Sequence, residues 1–230
     1  MPLILEARQL EKNFPRAGGV VNVLRGCDFG LEHGEAVAVT GGSGTGKSTL
    51  LNILGGLDSP SSGTVLHEER PLDFADHAAM ARWRSHGVGF VFQFHFLLPD
   101  FSALENLLLP LRNQGAVDAA DRKRALEFLE TMGLAARADH LPGELSGGEQ
   151  QRVAVARAFM NRPAIVLADE PFGNLDREIG AQLGDMLFRL RETEGTSLVI
   201  VTHDEKLAAR ADRTLVLREM ALHPVKESLP

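Results

Sequence analysis

Glycines at 41, 42, 44 and 46 lead into Lys47, Ser48 and Thr49 in the run GGSGTGKST. The pattern Gly41-x-x-x-x-Gly46-Lys47-Ser48 suits a polyphosphate. Gly42, Gly44 and Gly46 let the backbone curl so that several N–H groups converge on phosphate oxygens. Lys47 then reaches the β and γ phosphates, and the Ser48 hydroxyl is a ligand for Mg²⁺. Ser43, Thr45 and Thr49 complete the nucleotide-contacting run. A second pair of reactive groups, Asp169 and Glu170, ends the apolar run AIVLA at 164–168. Asp169 is placed to hold the metal directly or through water. Glu170 reaches farther toward the γ phosphate, where a carboxylate polarises an attacking water. Alone, two strand-end carboxylates only cap a loop; after a phosphate loop and a buried strand they read as chemistry. A third stretch, LSGGEQQR at 145–152, is a second glycine turn without a lysine. Ser146-Gly147-Gly148-Glu149 fits a capping box, and its glycines leave a helix start open to an anion. An ordinary capped helix is the competing reading.

These groups need elements to hold them. Leu3, Leu5, Ala7 and Leu10 predict an opening strand, and GCDFGLEHGEAVAVT holds two more, broken at His33-Gly34. The strand ending at Thr40 and a helix over about 47–54 give the glycine loop the strand-loop-helix context it requires, which a Gly/Ser linker lacks. A short strand is expected at 63–66, a helix at 76–85 and a strand at VGFVF, 88–92. From about 102 to 160 the pattern is helical, with Ala125, Leu126, Phe128, Leu129 and Met132 on one face. AIVLA and SLVIV (197–201), separated by a helix over about 176–193, read as parallel strands covered on both faces. Each ends in polar residues, Asp169-Glu170 and Thr202-His203, and ligands in such sheets sit at the carboxyl ends of strands.

Composition narrows the classes. The chain has 230 residues, 44% of them hydrophobic, and a formal charge of −7, so broad nucleic-acid binding is disfavoured. Its one cysteine, Cys27, excludes an internal disulfide, and its plain reading is a small buried residue. The eight histidines show no metal-ligand spacing. No apolar run approaches the ~18 residues of a spanning helix, and MPLILEARQLEKNF has no basic leader region. The expectation is a cytoplasmic chain that meets a membrane only through a partner.

GGSGTGKST, LSGGEQQR, ADEP at 168–171 and THD at 202–204, in this order and over nearly the whole chain, resemble the ATP-binding cassette (ABC) ATPases. That resemblance implies an α/β fold: a P-loop NTPase core with a mostly parallel sheet, an N-terminal antiparallel β region and a helical insertion. It implies one domain over 1–230, with a RecA-like core at about 1–93 and 161–230 and a helical subdomain at about 94–160. It implies ATP and Mg²⁺, and an ATP-dependent homodimer in which Ser146, Gly147 and Gly148 of one copy face the γ phosphate held by the other. Carried over one at a time, Gln93 matches a glutamine that senses Mg²⁺ and links core to insertion. Asp176 in GNLD matches a loop crossing the dimer interface, and His203 a histidine contacting the γ phosphate. Phe14 stands where an adenine-stacking aromatic is usual, with core packing as its alternative. Departures are Phe172, the helical glycines Gly180 and Gly184, and LREMALHPVKESLP, which lacks a usual Asp-Gly turn.

The load is less legible. Within 93–111, Phe94, Phe96, Leu97, Leu98 and Phe101 read equally as core of the insertion and as an apolar groove for a short helix of a membrane partner. GGLDSPSSG, QFHFLLPDFSALEN and PFGNLD are similar to the ATPase subunits of lipoprotein-releasing (Lol) transporters. That implies integral membrane permease subunits as partners and a place on the cytoplasmic face of the bacterial inner membrane. Macrolide or peptide efflux and cell-division ATPases carry close variants. A soluble cassette protein acting on nucleic acid or ribosomes, and a module that holds ATP without turnover, are the competing classes.

Overall fold

The computed structural model describes residues 2–225, so the last five residues of LREMALHPVKESLP lie outside the described residues. In chain order the strands and helices begin with β1 (Leu3–Arg16), β2 (Gly19–Glu32), β3 (Ala36–Thr40), α1 (Lys47–Leu54), β4 (Ser62–His67), β5 (Arg70–Pro71) and α2 (His77–Gly87). They continue with β6 (Val88–Phe92), α3 (Ala103–Arg112), α4 (Ala119–Thr131), α5 (Gly147–Phe159), β7 (Ile165–Asp169) and α6 (Arg177–Glu194). The last are β8 (Ser197–Val201), α7 (Glu205–Ala208), β9 (Arg213–Arg218) and β10 (Ala221–Pro224). The chain forms two compact units, 1–81 with 197–230, and 82–196. The second unit contains the residues 94–160 and, with them, the paired strands β6 and β7.

In the first unit β1 pairs antiparallel with β2 and with β4, and β5 adds to β4. β1 buries Leu5, Ala7 and Leu10 as its sequence predicts, with Ile4 buried as well, and a register shift between Ala7 and Leu10 breaks the alternation. β3 behaves otherwise: Ala36 to Val39 are all buried, as a strand covered on both faces must be. It runs parallel to both β8 and β9, and β10 returns antiparallel along β9. The turn into β10 replaces the Asp-Gly expected there with Glu219 and Met220, both left-handed at φ 52 and 66. Its backbone is anchored because Met220 O accepts from Arg25 N at 2.8 Å and from Cys27 Sγ at 3.0 Å. Burial pushes the Cys27 thiol up, which matches its plain reading as a buried residue.

In the second unit the stretch expected to be helical holds three α-helices, α3, α4 and α5. Capping boxes start each: Ser102 with Glu105, Asp118 with Asp121, and Ser146 with Glu149. On α4, Ala125, Phe128 and Leu129 are buried, with Met132 just beyond it, but Leu126 is exposed. Leu126 was expected on that face; one residue turns the helix by about 100°, which carries it off the 125/128/129/132 stripe. Arg124 ties the helices together, donating to Phe159 O at 3.1 Å and to Glu194 Oε2 at 2.7 Å. The two departures Phe172 and Gly180 are one contact. A Cβ on Gly180 would meet the Phe172 Cβ at 3.5 Å, an ordinary contact, so the helix position packs against the base of the buried Phe172.

Candidate functional site

The first unit presents the glycine loop and the histidine together. β3 and β8 are parallel neighbours with Val39 opposite Val201, so the loop at 41–46 and Thr202-His203 leave adjacent strands at the same, carboxyl, end. The loop is shaped by positions only glycine fills well. Gly41 and Gly46 sit at φ 146 and 103; a Cβ on Gly41 would meet Leu217 O at 2.6 Å, and one on Gly46 would meet Val23 Cγ1 at 2.6 Å. Gly46 caps α1 with its backbone alone; no side chain caps the first turn and no acidic residue lies in it. The helix therefore starts with bare N–H groups and an uncompensated positive dipole end, the physical requirement for holding phosphate. The Lys47 ammonium folds over this loop, donating to Gly41 O at 2.9 Å and Gly42 O at 3.0 Å. Thr45 Oγ1 closes the loop on Gly42 O at 3.0 Å. Ser43, Ser48 and His203 are exposed, and Thr49 is half-buried.

Phe14 is 41% exposed, so core packing is not its role. The Lys12 Nζ lies 4.8 Å from its ring centroid and is held there by Asp58 Oδ1 and Ser59 O, each at 2.7 Å. Sequence reading passed over Lys12; a lone lysine on a strand gives no signal until its aromatic and acidic neighbours are known.

The second unit gathers the other groups. β6 and β7 are parallel with Phe92 opposite Asp169, so Gln93 and Glu170 are the next residues out of two paired strand ends. Glu170 is left-handed at φ 43, an uncommon conformation for a residue with a Cβ. Gln93 Nε2 donates to Asn174 Oδ1 at 2.8 Å, a partner inside the GNLD loop that the sequence reading did not single out. Asp176, at the end of that loop, caps α6 by accepting from Glu178 N at 2.8 Å. The glycine turn stands beside the same element: a Cβ on Gly148 would meet Ile179 Cγ2 at 3.1 Å.

At that turn both expected bonds of the capping box are made. Ser146 Oγ accepts from Glu149 N at 3.3 Å, and Glu149 Oε2 accepts from Ser146 N at 2.8 Å. The first uses an oxygen lone pair and leaves the serine O–H as a donor. The bonds from the Ser146 N–H and hydroxyl, helped by Arg137 and Arg152, hold the Glu149 carboxyl below the usual carboxylate range. The capped-helix reading and the anion-site reading are thus compatible, because the cap occupies Ser146 and Glu149 and spares the backbone of Gly147 and Gly148.

Among the described residues no three His, Cys, Asp or Glu side chains converge into a metal cage. The Ser48 hydroxyl of the first unit, and the Asp169 carboxylate and Gln93 carboxamide of the second, are each oxygen donors, the ligand chemistry that a small hard cation takes.

Comparison with known proteins agrees with this chemistry. The model of the ABC transporter family matches residues 24–173. The lipoprotein-releasing system ATP-binding protein LolD of Idiomarina loihiensis is 46% identical over 220 residues, covering 96% of each chain. The uncharacterised ABC transporter ATP-binding protein YbbA of Escherichia coli K12 is 49% identical over 214 residues, covering 93% of this chain and 94% of that one. Among solved structures, the dimeric post-hydrolysis state of the ATP-binding cassette MJ0796, bound to ADP and Pi, superposes with a TM-score of 0.87 at 38% identity. That match covers 95% of this chain and 96% of the other, and it shares the α/β cassette architecture expected from the motifs. With a bare helix start shaped for phosphate in its first unit and a strand-end carboxylate pair in its second, the chain belongs to the ABC transporter family and is an ATP-binding subunit that hydrolyses ATP.

Proposed function

We propose that this ATPase drives a complex of the bacterial inner membrane that releases lipoproteins, working as two copies with ATP shared between them. In this reading Gly41 to Thr49 hold the triphosphate of one ATP, Lys47 neutralises its β and γ oxygens, and Phe14 stacks on adenine. Ser48, Asp169 and Gln93 hold Mg²⁺, which when bound offsets the charge that builds on the phosphates. Glu170 accepts the proton of the attacking water, and His203 donates to the γ phosphate. Ser146, Gly147 and Gly148 close over the ATP of the other copy, and Asp176 crosses between copies. The helical part at about 94–160 acts as a subdomain that moves with the partner. The partners are integral membrane permease subunits, not nucleic acid, and the chain sits on the cytoplasmic face through them alone. Among the described residues no helix is long and apolar enough to cross a membrane.

The observation that carries the partner reading is the loop after Gln93. Phe94, Phe96 and Leu98 are 62%, 61% and 45% exposed, while Leu97 between them is buried. An apolar patch of this kind, one residue beyond a group bonded to the GNLD loop, is what a helix from a membrane subunit would press on. Likeness to the LolD relative supports lipoprotein as the load. Likeness of equal strength to the uncharacterised YbbA relative does not single out lipoprotein, and the ATPase of an efflux or cell-division complex is the second reading. The test is gentle purification of the tagged chain from membranes of its host. Integral subunits with large periplasmic domains and bound lipoprotein would support the first reading. The same kind of subunit without lipoprotein would favour the second, and only cytosolic proteins would remove both.

A further inference from the structure

We propose that Gln151 is a positioning residue that keeps Gln93 and Glu170 in register for turnover. The inference rests on the roles given to those two groups above. Gln151 lies in the first turns of α5 and is 3% exposed. Its Nε2 donates to Phe92 O at 2.8 Å and to Pro171 O at 2.6 Å, which uses both hydrogens of the amide. Phe92 is the residue before Gln93, and Pro171 the residue after Glu170.

The position of this bridge has a physical reason. The β6–β7 ladder ends at the pair Phe92 and Asp169, so beyond it strand pairing no longer holds the two main chains together. Glu170 then enters the left-handed region at φ 43, which is costly for a residue with a Cβ and persists only when its surroundings hold it. The Gln151 amide supplies the missing link, from Phe92 in the last pair of the ladder to Pro171, two residues past Asp169. The same helix holds the other end of the Gln93 loop. Arg157 donates to His95 O at 2.8 Å and to Phe96 O at 2.9 Å, and Phe96 is also left-handed, at φ 45. α5 therefore fixes the chain from Phe92 to Phe96 at two points, while its own first residues form the 146–148 turn. A change of α5 felt at that turn reaches Gln93 and Glu170 through N–H bonds rather than through loose packing. No shorter or charged side chain substitutes. Asparagine lacks a methylene of reach, and a carboxylate turns its lone pairs on two carbonyl oxygens.

The test uses the full chain with whatever membrane subunits co-purify with it. Gln151→Glu presents a carboxylate above the pKa of its new side chain and a single O–H donor below it, and burial raises that pKa. Its kcat relative to the unmodified protein should fall about tenfold near pH 8 and recover to within about threefold near pH 6, with KM for ATP within about twofold throughout. Gln151→Met keeps the volume and removes both donors. It should lose kcat at every pH and raise amide hydrogen exchange at 93–98 and 170–176, leaving 41–49 unchanged. This second variant decides if the first fails to fold. Gln151→Glu at full kcat across the range, or Gln151→Met with unaltered kcat and exchange, would overturn the proposal. Glu170→Gln is the control: if it keeps turnover, the roles of the site fall, whereas loss in Glu170→Gln with full activity in both Gln151 variants removes Gln151 alone.

Discussion

Lys47 and Gly46 sit one residue apart and do separable work, one through charge and the other through the lack of a Cβ. Lys47→Ala removes the ammonium that lies over Gly41 and Gly42, and ATP affinity measured by calorimetry should fall at least about tenfold, the scale of a lost charge-assisted contact. Unchanged affinity would detach the loop from the nucleotide. Gly46→Ala forces a Cβ against Val23 at a backbone angle of φ 103, and should cost stability by about 1–3 kcal/mol in denaturant unfolding as well as ATP binding. Glu170→Gln keeps the shape of the strand end and removes the base; turnover should vanish while ATP still binds and holds two chains together in light scattering. The lysine, the glycines and the acidic pair were readable because their spacing alone defines the chemistry. Gln151 and Asn174 were not, since a glutamine on a helix and an asparagine in a loop acquire meaning only from the carbonyls and amides that face them.

At the scale of the element, the start of α5 carries a pH signature. The Glu149 carboxyl is held below its ordinary range chiefly by the Ser146 N–H and hydroxyl, so its contribution to folding is complete above the unfolded carboxylate pKa and is lost as pH falls through the lower folded value. The melting temperature of the protein should therefore exceed that of Glu149→Ala at pH 6, and the gap should narrow as pH falls below the ordinary glutamate range. A constant gap would mean the cap acts without its charge. The β9–β10 hairpin offers the opposite opportunity. Glu219 and Met220 occupy a two-residue turn with both φ values positive, the geometry for which Asn-Gly is preferred. Replacing the pair with Asn-Gly keeps the carbonyl that accepts from Arg25 and Cys27, and should raise stability by about 1 kcal/mol. The turn is hidden in sequence because neither residue is a usual turn former, and with it β9 and β10 went unread. Elements such as β3, α1, β7 and β8 were read nearly to the residue, since their short apolar runs end at glycine, acidic or hydroxyl residues.

For the molecule as a whole, the open question of the load comes down to the face beyond Gln93. Changing both Phe94 and Phe96 to serine removes exposed ring surface that this chain does not bury, so the melting temperature should shift by only a few degrees. Recovery of membrane subunits with the tagged double variant should nonetheless fall several-fold. Full recovery would put the partner elsewhere. Sequence alone determined that the chain binds a nucleotide, which strand ends carry the acids, and that a second glycine turn opens a helix. Those properties follow from local rules: glycine conformations, a charge at fixed spacing, and apolar runs that must be covered. Only the tertiary structure decided which of the aromatic residues at 93–101 face solvent, that Phe14 is not core, that Leu126 leaves its stripe, and that Gln151 joins two loops far apart in sequence. Each of these depends on which surfaces and polar groups the folded chain brings within contact distance, and a one-dimensional pattern does not hold that information.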